Sequence, residues 1–252
     1  MICSRRFLCG AILWSLICPL SQAMARHGGG GRQRPEPLNQ VQGFYAKGSL
    51  QGASALSADG IGYVHLFSSR GRFYASEGLI SILGQAAGSV AAKFNGGERL
   101  QVGDLSAPHG GQITGHSSHQ NGLDVDVVYY RINHQEQAPE PADGFHEHFV
   151  KDGRISINLD QRRTWLFIKT IAATGRLNRI FMDPIIKAAL CKYASTAESD
   201  LAGTATVLKF LRPLEGHDDH MHLRFTCPAG SPHCIGQDPV PSDGSGCPEI
   251  YR

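Results

Sequence analysis

Apolar residues between positions 76 and 94 recur at helical spacing, with Leu79, Ile82, Leu83, Ala86, Ala87, Val90 and Ala91 on one face. Ser76 supplies an N-cap and Gly96-Gly97 a stop. Gly84 and Gly88 weaken this helix but permit close packing against a sheet. From Leu123 the period switches to two: Leu123, Val125 and Val127 point one way, Asp124, Asp126 and Val128 the other. Residues 131–153 form a polar, proline-containing stretch of the length kept for function or disorder. Helical spacing returns over residues 160–174, with Trp165, Ile168, Ile171 and Ala172 facing inward. Residues 179–182 read as a short strand, and Asp183-Pro184 gives a cap and an N1 proline to a helix running to residue 192. Alternation reappears in HDDHMHLRF, residues 217–225, where His220, His222 and Arg224 share one strand face and Met221, Leu223 and Phe225 the other. Strands and helices mixed without a regular βαβ repeat predict an α+β layer fold with an antiparallel sheet.

The first 40 residues stand outside this pattern. Arg5 and Arg6 precede the apolar stretch FLCGAILWSLICPL, and SQAMA follows with Ala23 and Ala25 in the small-x-small arrangement of a signal peptidase site. Residues 1–25 therefore read as a secretory signal cleaved near Ala25, with no stable membrane insertion afterwards, because the stretch is short for a bilayer span. Residues 26–40, rich in Gly, Pro and Arg, read as a flexible leader. Residues 41–252 remain for a single domain.

Removing Arg5 and Arg6 leaves 22 basic and 22 acidic residues, so charge gives no reason to expect nucleic acid or an anionic membrane surface as partner. Cys3, Cys9 and Cys18 leave with the signal, while Cys191, Cys227, Cys234 and Cys247 stay. Four cysteines in an exported chain imply two disulfides in any of three pairings. The six-residue gap between Cys227 and Cys234 is not that of a zinc knuckle.

The chemistry concentrates in two windows. GHSSHQNGLDVDVVYY, residues 115–130, places His116, His119, Asp124 and Asp126 within eleven positions. HDDHMHLRF adds His217, His220 and His222. If the two strands are neighbours, His, Asp and His converge on one point. Catalytic zinc takes three protein ligands and keeps a fourth position for water. Two neutral imidazoles and one carboxylate leave the ion net positive, able to acidify that water and polarise a carbonyl. A histidine beside the ligands can carry the water's proton to a leaving amine. Asp124, on the face of Asp126, can orient a ligand imidazole from behind. Either pair alone is ordinarily a solvated strand face, so the expectation rests on the windows together. Other chemistries lack their residues. His146-Glu147-His148 is followed by Val150 where a His-Glu-x-x-His motif would need its second histidine. There is no Gly-x-Ser-x-Gly elbow, and no serine has a lysine three positions on.

GDLSAPHGGQITGHSSHQNGLDVDV and LRPLEGHDDHMHLRFTCPAGSPHC resemble the two signature regions of penicillin-insensitive murein endopeptidases, and RIFMDPIIKAALC resembles the segment between them. The resemblance runs from about residue 40 to 250. It implies the fold shared by lysostaphin, D-alanyl-D-alanine dipeptidases and the hedgehog domain, a central antiparallel β-sheet with peripheral helices and long loops. It also implies a periplasmic enzyme that cuts D-alanyl–meso-diaminopimelyl cross-links of peptidoglycan with zinc-activated water, insensitive to β-lactams. By position, His119, Asp126 and His222 would be zinc ligands and His116 a further metal-associated residue. His220 would be the histidine that acts as base or stabilises the transition state, and His217 a further site residue. The resemblance also pairs Cys227 with Cys234 and Cys191 with Cys247. An additional disulfide of some members has no cysteines here. A second metal position is not carried over either: Asp160 is available, but Arg163 stands where a histidine would be needed. Two alternatives share these residues. One is a zinc D,D- or L,D-carboxypeptidase or dipeptidase that trims stem peptides, the other a zinc- or peptidoglycan-binding module without catalysis.

Overall fold

The computed structural model describes residues 40–142 and 144–247. The signal and nearly all of the leader expected from the sequence lie outside these residues. Gln40, the leader's last position, already opens a strand. Among the described residues no helix is long and apolar enough to cross a membrane.

Seven strands form the main sheet, in the order Leu211–Pro213, Leu177–Met182, His220–Phe225, Asp124–Val128, Leu100–Val102, Tyr63–His65 and Asp59–Gly60. The strands around the centre are antiparallel, as the alternation implied. The expectation of an antiparallel sheet needs one correction. Leu177–Met182 runs parallel to Leu211–Pro213, and Tyr63–His65 parallel to Leu100–Val102. Parallel neighbours need a long crossover, usually helical. Helix α1 (Glu77–Lys93) lies between one such pair in the chain, and α3 (Pro184–Ala197) with α4 (Leu201–Leu208) between the other. Two βαβ-like crossovers thus flank an antiparallel centre.

The helices start where capping chemistry allows. Ser76 Oγ accepts from Leu79 N–H, Asp160 Oδ1 from Arg163 N–H at the start of α2 (Gln161–Ala173), and Asp183 Oδ1 from Ile185 N–H at the Pro184 start of α3. α3 runs five residues past the position predicted. Leu79, Leu83, Ala86, Ala87 and Val90 of α1 join Trp165, Phe167, Ile168 and Ile171 of α2 in one core with Val125, Val127, Met221 and Leu223 of the central strands. The faces bearing Asp126 and His222 are turned the other way. The N-terminal hairpin of Gln40–Phe44 and Lys47–Gln51 is fastened without a disulfide: Tyr45 Oη donates to the Phe225 carbonyl at 2.6 Å, and Val41 N–H to Ser231 Oγ at 2.9 Å. The cysteines join as Cys191–Cys247 and Cys227–Cys234, with Cα separations of 6.0 and 5.8 Å.

Residues 131–153 are held by charge. Buried Arg131 donates to Glu98 through its backbone N–H at 2.6 Å and Nη1 at 2.7 Å, and to Glu147 through Nε at 2.7 Å. Glu147 also accepts from Asn158, so the central residue of His146-Glu147-His148 is a loop anchor. Arg163 Nη1 adds a 3.4 Å contact to Glu98, and its Nη2 reaches the Glu98 carbonyl. The place considered for a second metal therefore holds a helix cap and a buried ion cluster. Burial pushes the Glu98 carboxyl up, and Arg131 and then Arg163 pull it only part of the way back. Removing the acid would leave buried Arg163 without its carboxylate and Arg131 with Glu147 alone. Glu98→Ala is expected to destabilise the domain by about 3–5 kcal/mol, read from the urea midpoint.

Candidate metal centre

The condition set by the sequence, that the two motif strands be neighbours, is met directly. His220–Phe225 pairs antiparallel with Asp124–Val128, placing His222 opposite Asp126, Arg224 opposite Asp124 and His220 opposite Val128. Asp126 sits at the focus. Its Oδ1 lies 3.3 Å from His119 Nε2, 3.3 Å from His222 Nδ1 and 3.8 Å from His220 Nε2, and its Oδ2 lies 3.8 Å from His116 Nδ1. His116, His119 and Asp126 each offer a ligand atom, all within 4.8 Å of one another, and could hold a metal ion.

His217 stands farther out, its ring centroid 5.0 Å from that of His220 and 6.3 Å from that of His222. Asp124 lies behind the cluster, fully buried. It accepts from Arg224 Nε at 2.8 Å and Nη2 at 3.1 Å and from His119 N–H at 3.0 Å. His222 Nε2 is also 3.2 Å from Asp124 Oδ1, without hydrogen-bond alignment. The His119 backbone adopts a left-handed conformation, φ 65°, which costs a non-glycine residue about 1–3 kcal/mol. The N–H bond to Asp124 holds it there.

The donor set fits a cation. His119 Nε2 and Asp126 Oδ1 are buried without a hydrogen-bond partner, although an imidazole nitrogen and a carboxylate oxygen ordinarily have one when buried. Burial alone would raise the Asp126 carboxyl, but the imidazoles of His119, His220 and His222 hold it well below the usual carboxylate range. Burial likewise works against a charged His119, yet Asp126 and Asp124 carry it up to about 9. A pocket that draws a proton this strongly onto a buried imidazole favours positive charge at that point.

Four neighbours of the cluster carried no signal in the sequence reading. Asp104, buried, takes His116 Nε2 on its Oδ2 at 3.0 Å. Asp219 Oδ1 lies 2.5 Å from His220 Nδ1. Phe145, from the 131–153 loop, stacks on the His220 ring with centroids 4.7 Å apart, and Phe181 meets His222 edge-on at 5.4 Å. Adjacency in HDDHMH was the only available hint for Asp219; the others become neighbours only through the fold. A cleft of about 440 Å³ opens over the cluster, lined by His116, Asp126, His217, His220, His222 and Phe181 among others. Ser117 and Ser118 also line it, but among the described residues no serine hydroxyl is hydrogen-bonded to a histidine, so none is paired with a base.

Residues 41–252 match the family model of the penicillin-insensitive murein endopeptidases. Proteins of that name are similar over most of their length. The one from Haemophilus influenzae is 35% identical over 222 residues, covering 83% of this chain and 71% of the relative. Those from Yersinia enterocolitica and Klebsiella pneumoniae are 34% and 31% identical over 215 residues, each covering 82% of this chain and 74% and 73% of the relative. The chain belongs to the penicillin-insensitive murein endopeptidase family.

Proposed function

We propose that this chain is an exported zinc endopeptidase that hydrolyses D-alanyl–meso-diaminopimelyl cross-links of peptidoglycan in the periplasm, with residues 1–25 removed as a signal, 26–40 as leader and 41–252 as a single zinc-peptidase domain of the lysostaphin/hedgehog type. The observation that carries it is the buried, unpartnered pair of His119 Nε2 and Asp126 Oδ1, faced by His116 and His222 at the base of an open cleft. His119, Asp126 and His222 would hold the ion, with His116 beside them. Zinc, when bound, supplies a Lewis acid that polarises the scissile carbonyl and acidifies water.

The protein's own groups do the rest. His220 projects its Nε2 toward the cluster while Asp219 engages Nδ1 and Phe145 covers one ring face. That fixes the imidazole so that Nε2 takes the proton of the attacking water and returns it to the leaving amine. Asp124 and Arg224 support His119 and His222 from behind. His217, at the cleft wall beside His220, would hydrogen-bond the substrate. Among the described residues no serine hydroxyl is paired with a histidine base to form an acyl-enzyme, which would account for insensitivity to β-lactams.

His220→Ala is expected to retain zinc and lose about 10²–10⁴-fold in kcat, the usual contribution of an acid–base group. Zinc content by atomic emission and turnover of cross-linked muropeptides check it together. Full activity in this variant would remove His220 from the mechanism.

A further inference from the structure

Three consecutive residues, Gly103, Asp104 and Leu105, hold the candidate ligands from behind. Gly103 N–H donates to the Asp126 carbonyl at 2.8 Å, and Asp126 N–H to the Asp104 carbonyl at 3.1 Å. His119 Nδ1 lies 2.9 Å from the Leu105 carbonyl. A carbonyl only accepts, so Nδ1 carries a proton, which makes Nε2, on the side of Asp126, the nitrogen available to an ion. Gly103 is tightly surrounded: a Cβ there would come within 2.7 Å of the Phe145 ring, which in turn stacks on His220.

Asp104 does for His116 what the Leu105 carbonyl does for His119. Its side chain is 2% exposed, and its Oδ2 lies 3.0 Å from His116 Nε2, 3.1 Å from Arg70 Nη1 and 3.0 Å from Arg72 Nη1. Arg72 Nη1 also donates to the Thr114 carbonyl at 2.8 Å, tying this clamp to the loop that carries His116. An ionised carboxylate between two guanidinium groups is an acceptor only. His116 Nε2 therefore bears the proton, leaving the Nδ1 lone pair directed to the side of Asp126, 3.8 Å from Oδ2.

We propose that Asp104 is a positioning residue of the metal centre: clamped by Arg70 and Arg72, it sets the tautomer and orientation of His116 so that Nδ1 is available to the ion. The inference rests on the metal-centre reading above. It gives His116 a defined donor atom and explains why two arginines are placed beside a site that binds a cation: their charge is spent on Asp104, which stays an ionised anchor.

The test is a double-mutant cycle read as zinc affinity, by competition with a chromophoric chelator, on the mature protein. Asp104→Asn preserves shape and should weaken zinc about 10–100-fold, as loss of a ligand-orienting partner does. In a His116→Ala background the same change should have almost no effect, because its means of action is gone. Equal losses in both backgrounds, or none in the first, would overturn the proposal. Wild-type protein that fails to bind zinc would instead sink the metal-centre reading itself. Should Asp104→Asn not fold, ¹⁵N spectra of histidine-labelled, zinc-loaded wild type decide: His116 protonated at Nε2 is required, and protonation at Nδ1 contradicts it.

Discussion

Asp126→Ala is expected to abolish zinc binding and endopeptidase activity together, while leaving the domain folded. Four imidazoles look toward this one carboxylate, two of them at 3.3 Å from the same oxygen. Without it, the buried pocket holds imidazoles alone, and the negative charge that offsets a dication's desolvation is lost. The backbone ladder is untouched, since Asp126 pairs through its main chain with His222 and Asp104. Loss of turnover should exceed the about 10²–10⁴-fold expected from losing only the proton carrier. The stability readout separates metal from fold. With zinc 1,000-fold above its Kd the wild type would gain about 4 kcal/mol from ligand linkage. The variant should gain nothing, and in chelator the two should melt within a few degrees. Zinc-dependent stabilisation of Asp126→Ala equal to that of the wild type would contradict the assignment.

Asp124→Ala is expected to destabilise the fold strongly. Asp124 is fully buried, engages Arg224 through two hydrogen bonds, and holds the left-handed His119 backbone by a third. Arg224 is itself enclosed between the rings of Tyr45 and Phe181, at 4.2 and 5.3 Å from their centroids. Truncating the acid leaves that guanidinium buried and unpaired, which costs about 3–5 kcal/mol. For a domain of this size the midpoint should fall by on the order of 10 °C. Zinc affinity should fall as well, because His119 and His222 lose their support. Differential scanning calorimetry in chelator isolates the folding component; a shift under about 2 °C would mean that the pair contributes little.

The acidity of this cluster also sets a pH dependence. Burial would raise the Asp124 carboxyl, but His222 and Arg224 hold it well below the ordinary value. A depressed carboxyl contributes stability above its unfolded pKa, about 3.9, and that contribution is lost as pH falls further. Acid unfolding should therefore be blunted in Asp124→Asn relative to its own neutral-pH stability.

The central half of the site could be read in the sequence because it rests on two short-range facts. Asp124 and Asp126, and His220, His222 and Arg224, alternate on their strands, and alternation fixes the face whatever the partner. That the strands adjoin was only a condition until the register put His222 opposite Asp126. The helices were legible from cap and periodicity together at Ser76, from periodicity alone over residues 160–174, and from the cap and N1 proline at Asp183-Pro184. α4 was not, because LAGTATVL sets Gly203, Thr204, Thr206 and Val207, of weak helical preference, among its alanines and leucines, and is held by its Asp200 cap and the core around Leu208. The parallel outer strands are three residues long or paired over three positions, too short to show a pattern. Asp104, Phe145 and Phe181 were illegible for another reason. A single acidic or aromatic residue in a loop or strand carries no period, and only the tertiary fold brings it to the clustered imidazoles.

The most direct measurement is chromatographic analysis of muropeptides from purified sacculi digested with the mature protein, with and without a chelator. The account predicts that cross-linked dimers disappear with a matching gain of monomers, that the chelator blocks this, and that added zinc restores it. Dimers that persist while zinc is demonstrably bound would contradict it, and release of free D-alanine from uncrosslinked stems would point to a trimming enzyme in its place.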